Sequence, residues 1–233
     1  MNNLFWANIT RLWKSRLTGL GIAVFAGLAL VLCIDHYYYF REDMILDGIF
    51  FGYVYIAGIP VSVLAGLFLG VEYGDGTIRN KLIAGHKRST VYLANFFAVF
   101  AASLMMSLAY IGVICAVGIP MFGGLTSDWQ IIVLMLFESV LTLGAVSALF
   151  TMVGMLWQNK AVSAAICILL AFGLQMLTIA VQSKLAAKEF YEGNVYTSDV
   201  SNDGEIEMIS LEGQRNPNYV GGTKRVVYEF IYD

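Results

Sequence analysis

Five segments of this chain, Leu17–Ile34, Gly48–Val71, Val91–Ile119, Trp129–Trp157 and Ala161–Val181, run with little or no charge. Each has roughly the 20 residues that a helix rising 1.5 Å per residue needs to cross a ~30 Å hydrocarbon layer. Backbone N–H and C=O groups find no water in such a layer and must bond within the segment or around a closed barrel. These runs do not alternate at period two, so helices are predicted and a barrel is excluded. The composition points the same way. With 58% hydrophobic and 13% charged residues in 233, there is too little polar surface to coat a soluble globule of this length. The predicted fold class is all-α: a polytopic transmembrane helical bundle of five spans.

Lysine and arginine placement orients the bundle. Arg11, Lys14 and Arg16 precede the first span, Arg79, Lys81, Lys87 and Arg88 lie between the second and third, and Lys160 lies between the fourth and fifth. Loops on the other side carry Arg41 alone, among Asp35, Glu42, Asp43 and Asp47, and then only Asp128. The positive-inside rule therefore predicts a cytoplasmic N-terminus. The net charge is −3 and the basic residues are dispersed at helix ends without forming a stripe, which argues against nucleic acid as a partner. Cys33, Cys115 and Cys167 all fall inside apolar runs. An odd number of thiols so placed argues against a disulfide framework and a zinc site. Leu32 before Cys33 is bulky where a lipoprotein cleavage site takes a small residue, so the first run is read as a span and not as a leader.

Two domains are expected: a membrane domain over 1–181 and an external segment over 182–233. The latter is polar, with nine acidic against five basic residues and turn-forming clusters around Asn194, Ser198, Ser201, Asn202, Asp203 and Gly204. Within it, Glu205–Leu211 alternates as a short strand would, and Arg225–Tyr232 fits a short amphipathic helix. A solvated loop is the main expectation, since about 50 residues without disulfides make a marginal core. No internal repeat is visible, which argues against transporters built from two similar halves.

The N-terminal residues 4–16 predict a helix lying in the membrane plane. At 100° per residue, Phe5, Trp6, Ile9, Leu12 and Trp13 share about a third of the circumference, with Asn8, Thr10, Arg11, Lys14 and Ser15 opposite. The tryptophans suit headgroup depth and the basic face suits anionic lipid. Between the second and third spans, Glu72–Arg88 is almost the only charged, non-acidic island between the apolar runs. Asp75 or Thr77 can cap a helix there and Gly85 can end it, giving eight to ten residues with Ile78 and Leu82 one turn apart. An apolar knob, a small residue and flanking cations suit docking on a cytosolic partner. The same charges also suit a simple topology anchor.

The string E-Y-x-x-G-T-I-R-N-K-L-I-x-G over 72–85, followed by Arg88 and Tyr92, resembles the signature of bacterial type-2 ABC exporter permeases. The interfacial helix, the position of the loop and the Asn216-Pro217-Asn218-Tyr219-Val220 stretch are similar to that family as well. The resemblance covers essentially the whole chain. It implies a coupling helix seated on a separate cytosolic ATPase subunit, a second permease subunit completing the transmembrane unit, and a bacterial plasma membrane as the location. Glu72, Gly76, Thr77, Arg79, Asn80, Lys81 and Gly85 match the coupling positions, with Ile78 and Leu82 as the apolar knob between them. Lys87 departs from the family, which carries a small hydroxylic residue there. Family members have six spans, so the chain is expected to be a fragment ending before the last; a five-span form is the alternative.

Other chemistry is absent from the sequence. Gly85-His86-Lys87-Arg88-Ser89-Thr90 has the letters of a phosphate-binding loop in the wrong order for G-x-x-x-x-G-K-[ST], so ATP and Mg would belong to the partner subunit and no cofactor to this chain. No Ser-His-Asp or paired-carboxylate arrangement is legible, and His36 and His86 are predicted on opposite sides of the membrane, so an enzyme is not expected. Glu138 stands alone as an ionisable residue inside a span. An ionised carboxylate facing lipid is costly, so it is expected at a helix interface or in a wet cavity, or protonated; substrate contact, proton handling and a structural hydrogen bond to Gln175 or a serine are the readings left open. Gly48/Gly52 and Gly66/Gly70 on the second span suit either a dimer seam or packing within the subunit. An exporter permease is the leading function, and a non-transporting sensor or assembly protein that docks its partner through the 72–88 loop is the alternative. The topology predicts that Ser201→Cys, in a chain without the native cysteines, is labelled efficiently in intact cells by a membrane-impermeant thiol reagent; protection there would overturn it.

Overall fold

A computed structural model describes residues 2–39, 46–157, 159–190, 196–200, 206–210, 215–216, 219–222 and 224–225. The chain forms two compact units, Met1–Phe172 and Gly173–Asp233. Five helical stretches, Arg16–Tyr38, Leu46–Gly74, Arg88–Phe122, Trp129–Leu156 and Lys160–Ala186, are long and apolar enough to cross a membrane. The expected all-α helical bundle is therefore what the membrane part shows, with each span longer at one or both ends than its uncharged run, except that the fourth stops one residue short.

The first unit opens with α1, Asn2–Trp13. The Thr18 hydroxyl donates to the Leu12 carbonyl at 2.6 Å, capturing a C=O that the end of α1 leaves without an intrahelical donor. After this turn comes α2, Arg16–Tyr39. The second apolar run is interrupted: α3, Leu46–Phe50, turns at 51–52 into α4, Tyr53–Gly74. The Tyr110 hydroxyl donates to the Ile49 carbonyl at 2.7 Å beside this break. A short α5, Thr77–Ile83, precedes α6, Arg88–Val113, which continues through a π-helical turn, Ile114–Gly118, into α7, Ile119–Phe122. Pro120 accounts for the widened turn, since it has no N–H to donate and its ring crowds the carbonyl four residues back, at Ala116. The long helices α8, Trp129–Leu156, and α9, Lys160–Ala186, follow.

Small and hydroxylic residues pack these helices, as expected where hydrophobic contrast with the surroundings is lost. α4 lies on α8, and α6 lies on α2, α8 and α1. Ala57, Ala65, Ala98 and Ala102 are buried in the core. Several buried hydroxyls are spent on helix carbonyls or on each other: Ser103 on Phe100, Ser107 on Ser103, and Tyr53 on Ser139 at 2.7 Å, whereas Thr151 Oγ1 has no partner among the described residues. A Cβ on Gly66 would lie 2.8 Å from the Ala164 Cα, and one on Gly70 would lie 2.7 Å from the Lys160 Cα. That pair therefore serves close approach of α4 to the start of α9 within one chain, and not a dimer seam. Asp47 accepts from the N–H and hydroxyl of both Thr126 and Ser127, pinning the turn before α8 to α3.

The second unit carries the rest of α9 and an antiparallel hairpin, β1, Tyr196–Val200, and β2, Ile206–Ser210, in register Tyr196↔Ser210 to Val200↔Ile206. The strand expected over Glu205–Leu211 is there as β2. Its partner β1 contains Ser198, which the sequence pattern assigns to a turn cluster; pairing with Met208 places it in a strand. Phe190 bridges Arg215, whose guanidinium lies 3.6 Å from the Glu189 carboxylate. The helix expected over 225–232 lies outside the described residues beyond Arg225.

The close approaches predict a graded result. Gly66→Leu and Gly70→Leu should each cost about 1–3 kcal/mol of stability by overpacking, whereas Gly58→Leu, with nothing within 4 Å of its Cβ position, should be tolerated. Thermal unfolding in detergent followed by size-exclusion chromatography reads the difference.

Candidate functional site

Sequence and backbone geometry make α5 a separate piece at one end of the apolar helices. α4 stops at Gly74, and Gly76, at φ +66°, turns the chain into α5 in the left-handed region that favours glycine. Gly85, at φ +87°, turns it out again. Neither Asp75 nor Thr77 caps α5; Gly76 occupies the N-cap position and no side chain bonds there. The helix has seven residues, shorter than expected, because the two glycine turns take up the rest of the loop.

Beneath α5 lies a buried polar cluster assembled from four helices. Glu72, in the last turn of α4, has a side chain with 0% exposure. Its Oε1 accepts from Lys81 Nζ of α5 at 2.8 Å and from Arg11 Nη1 of α1 at 3.1 Å. Lys81 Nζ also donates to Asn8 Oδ1 of α1 at 3.0 Å, and Asn8 Nδ2 donates to Asn95 Oδ1 of α6. A buried carboxylate is tolerable only with such compensation, and removal of one partner of a buried pair costs about 3–5 kcal/mol. Arg11, with a side chain 39% exposed, contributes less than Lys81 because solvent screens it. Glu72 Oε2 and Asn95 Nδ2 have no hydrogen-bond partner among the described residues.

The cluster revises the expected face of α1. Asn8 was placed on the solvent side, opposite the apolar arc. In the structure Asn8 is buried between Leu4 and Leu12, and Arg11 turns toward Glu72. Trp6 and Trp13 point outward, exposed by 62% and 61%, Phe5 and Ile9 are half-buried, and Phe5 meets Phe97 edge-to-face. α1 thus has three faces: one against the protein, one aromatic and outward, and one polar around Thr10 and Lys14. A two-way split does not capture this, because a helix that packs on the protein and also carries outward aromatics has two different apolar faces.

The expected docking residues also divide. Arg79, Asn80 and Gly85 are exposed, and Gly76, Thr77 and Leu82 are half-buried. Ile78 is buried and is not the docking knob. Glu72 and Lys81 are likewise internal, bonded to each other. A short helix between two spans buries its more apolar face against its own protein, which is the Ile78/Leu82 face. Ile83, overlooked in the sequence, is 73% exposed, and Arg79 one turn earlier, together with His86, Lys87 and Arg88, is exposed too. The signal was there: Ile83 lies roughly 140° around the helix from Ile78.

Among the described residues Glu138 is not at a helix interface. It is exposed, among Leu134, Phe137 and Leu141, all exposed. The inward stripe of α8 runs through Ser139, Leu143, Ser147, Phe150 and Gly154, and Glu138 stands one residue, about 100°, away from it. Among the described residues no group of three or more His, Cys, Asp or Glu side chains could hold a metal ion.

By length and composition of its helices, the chain is a membrane-embedded protein whose membrane part is an all-α bundle. Comparison with models of known families, with curated proteins and with solved structures gives no match.

The burial pattern predicts unequal effects for two neighbouring cations. Lys81→Met strips Glu72 of its nearer partner and should lower stability by about 3–5 kcal/mol, whereas Arg79→Met at an exposed position should change it by less than ~0.5 kcal/mol. Thermal unfolding of the two purified variants provides the comparison.

Proposed function

We propose that this chain is the transmembrane permease subunit of an ATP-driven exporter in a bacterial plasma membrane, with α1 and α5 on the cytoplasmic side. In this reading α5 is the coupling helix, ATP and Mg are bound by a separate ATPase subunit, and a second permease subunit completes the pathway. The chain moves substrate by alternating access as the ATPase subunits close against α5. One observation carries the reading: a short helix, fastened from beneath by the Glu72 cluster, presents an exposed isoleucine one turn after the exposed Arg79 and shortly before the exposed Lys87 and Arg88. Such a face fits an apolar groove with an acidic rim, and charge opposition across it would steer association. The fit of 72–85 to the family signature and the positive-inside charge pattern support the same assignment.

The docking face predicts which substitutions uncouple. Ile83→Asp and Arg79→Glu should each leave insertion and folding intact, because both side chains are exposed, and should weaken ATPase association by on the order of a few kcal/mol if the contact is desolvated. Co-purification of the ATPase and its hydrolysis rate in membranes are the measurements. Full association and full coupling with both substitutions would leave the loop as a topology anchor and would sink the exporter reading.

A further inference from the structure

α5 has little to hold it in place by itself. Seven residues are well below the length at which an isolated helix is stable in water, and the helix is bounded by left-handed glycines, Gly76 and Gly85. Its attitude must come from tertiary contacts. Only two of its side chains supply deep ones: Ile78, which is buried, and Lys81, whose ammonium is divided between Glu72 of α4 and Asn8 of α1.

From this geometry we infer that α1 is a clamp that sets the attitude of α5, with Glu72 and Lys81 as positioning residues. α1 engages the cluster at two successive turns. Arg11 grips Glu72, and Asn8 joins Lys81 to Asn95 of α6. Leu4 and Leu12, buried one turn either side of Asn8, prevent α1 from sliding without loss of apolar contact. A roll of α5 about its axis breaks the bonds of Lys81 to α4 and to α1 together. α1 is thereby more than a membrane anchor: it ties α5 to two spans, α4 and α6, by a route that bypasses the loop connections. The pairs Asn8–Asn95, Arg11–Glu72 and Lys81–Asn8 link residues far apart in sequence, so this coupling is absent from any isolated loop peptide.

The inference stands apart from the exporter reading, because its test uses this chain alone. The full chain, with Cys33, Cys115 and Cys167 replaced and Ile78→Cys introduced, is reconstituted in liposomes and the rate of alkylation by a soluble maleimide is measured. With the cluster intact the buried thiol should react slowly. Arg11→Met should raise the rate about fivefold, a modest factor because Arg11 is partly screened by solvent. Arg11→Lys, which keeps the charge, should stay near the parent. Lys14→Met, an exposed cation one turn on, should have no effect. Glu72→Gln should raise the rate further, and adding Arg11→Met to it should change nothing more, since Arg11 acts through Glu72. An unchanged rate in Arg11→Met, or equal acceleration by Lys14→Met, would overturn the clamp. Should Glu72→Gln fail to give monodisperse protein, Arg11→Met decides alone, because it leaves the Glu72–Lys81 pair in place.

Discussion

The carboxylate of Glu72, buried at the end of α4, is the interaction on which the functional end of this protein depends. Removed from water, it needs compensating positive charge, and the nearest cations come from α5 and α1. That need ties α5, which is weakly held by itself, to α1 and to the ends of two long helices. Asn8 and Asn95 extend the network to α6. The result is a polar assembly at the end of an apolar bundle, where a short helix is positioned by charge and not by its own stability.

The rest of the bundle is held by different means. Between long apolar helices, glycine and alanine allow backbones to approach, and hydroxyls bond to helix carbonyls or to one another. Gly66 and Gly70 under the start of α9, Tyr53 on Ser139 and Tyr110 on Ile49 are the clearest cases. These contacts are short-ranged and intolerant of added bulk. α5 differs, because its attitude rests on the buried Ile78 and on Lys81, bonded to Glu72 and Asn8.

Much of this was legible in the sequence and some was not. The five spans could be read because a run of about 20 uncharged residues has few alternatives. The position of the loop helix could be read from Gly85 and from the charged island around it. Which side of that helix faces out could not: Ile78, Leu82 and Ile83 are all apolar, and only packing decides that Ile78 goes in and Ile83 out. Asn8 misled for a related reason, since a polar residue on an amphipathic helix is normally solvated unless a partner such as Asn95, 87 positions away, is known. For Glu138 the cost of charge in lipid argued for a helix interface, a wet cavity or a protonated carboxyl, and the structure places it beside the inward stripe of α8, which passes through its neighbour Ser139. The break between α3 and α4 left no clear mark, because the run remains apolar throughout.

The central claim, that α5 presents Ile83 and its cationic rim to a cytosolic ATPase, is tested most directly by photo-cross-linking. A benzophenone amino acid is placed at Ile83 in the full chain, expressed in its own membrane, and the adducts are identified by mass spectrometry. The account predicts an adduct with a protein carrying a G-x-x-x-x-G-K-[ST] nucleotide-binding loop, and no such adduct from the same probe at the exposed Leu134, far along α8. Adducts from Ile83 with lipid alone, or with proteins lacking a nucleotide-binding loop, would contradict it.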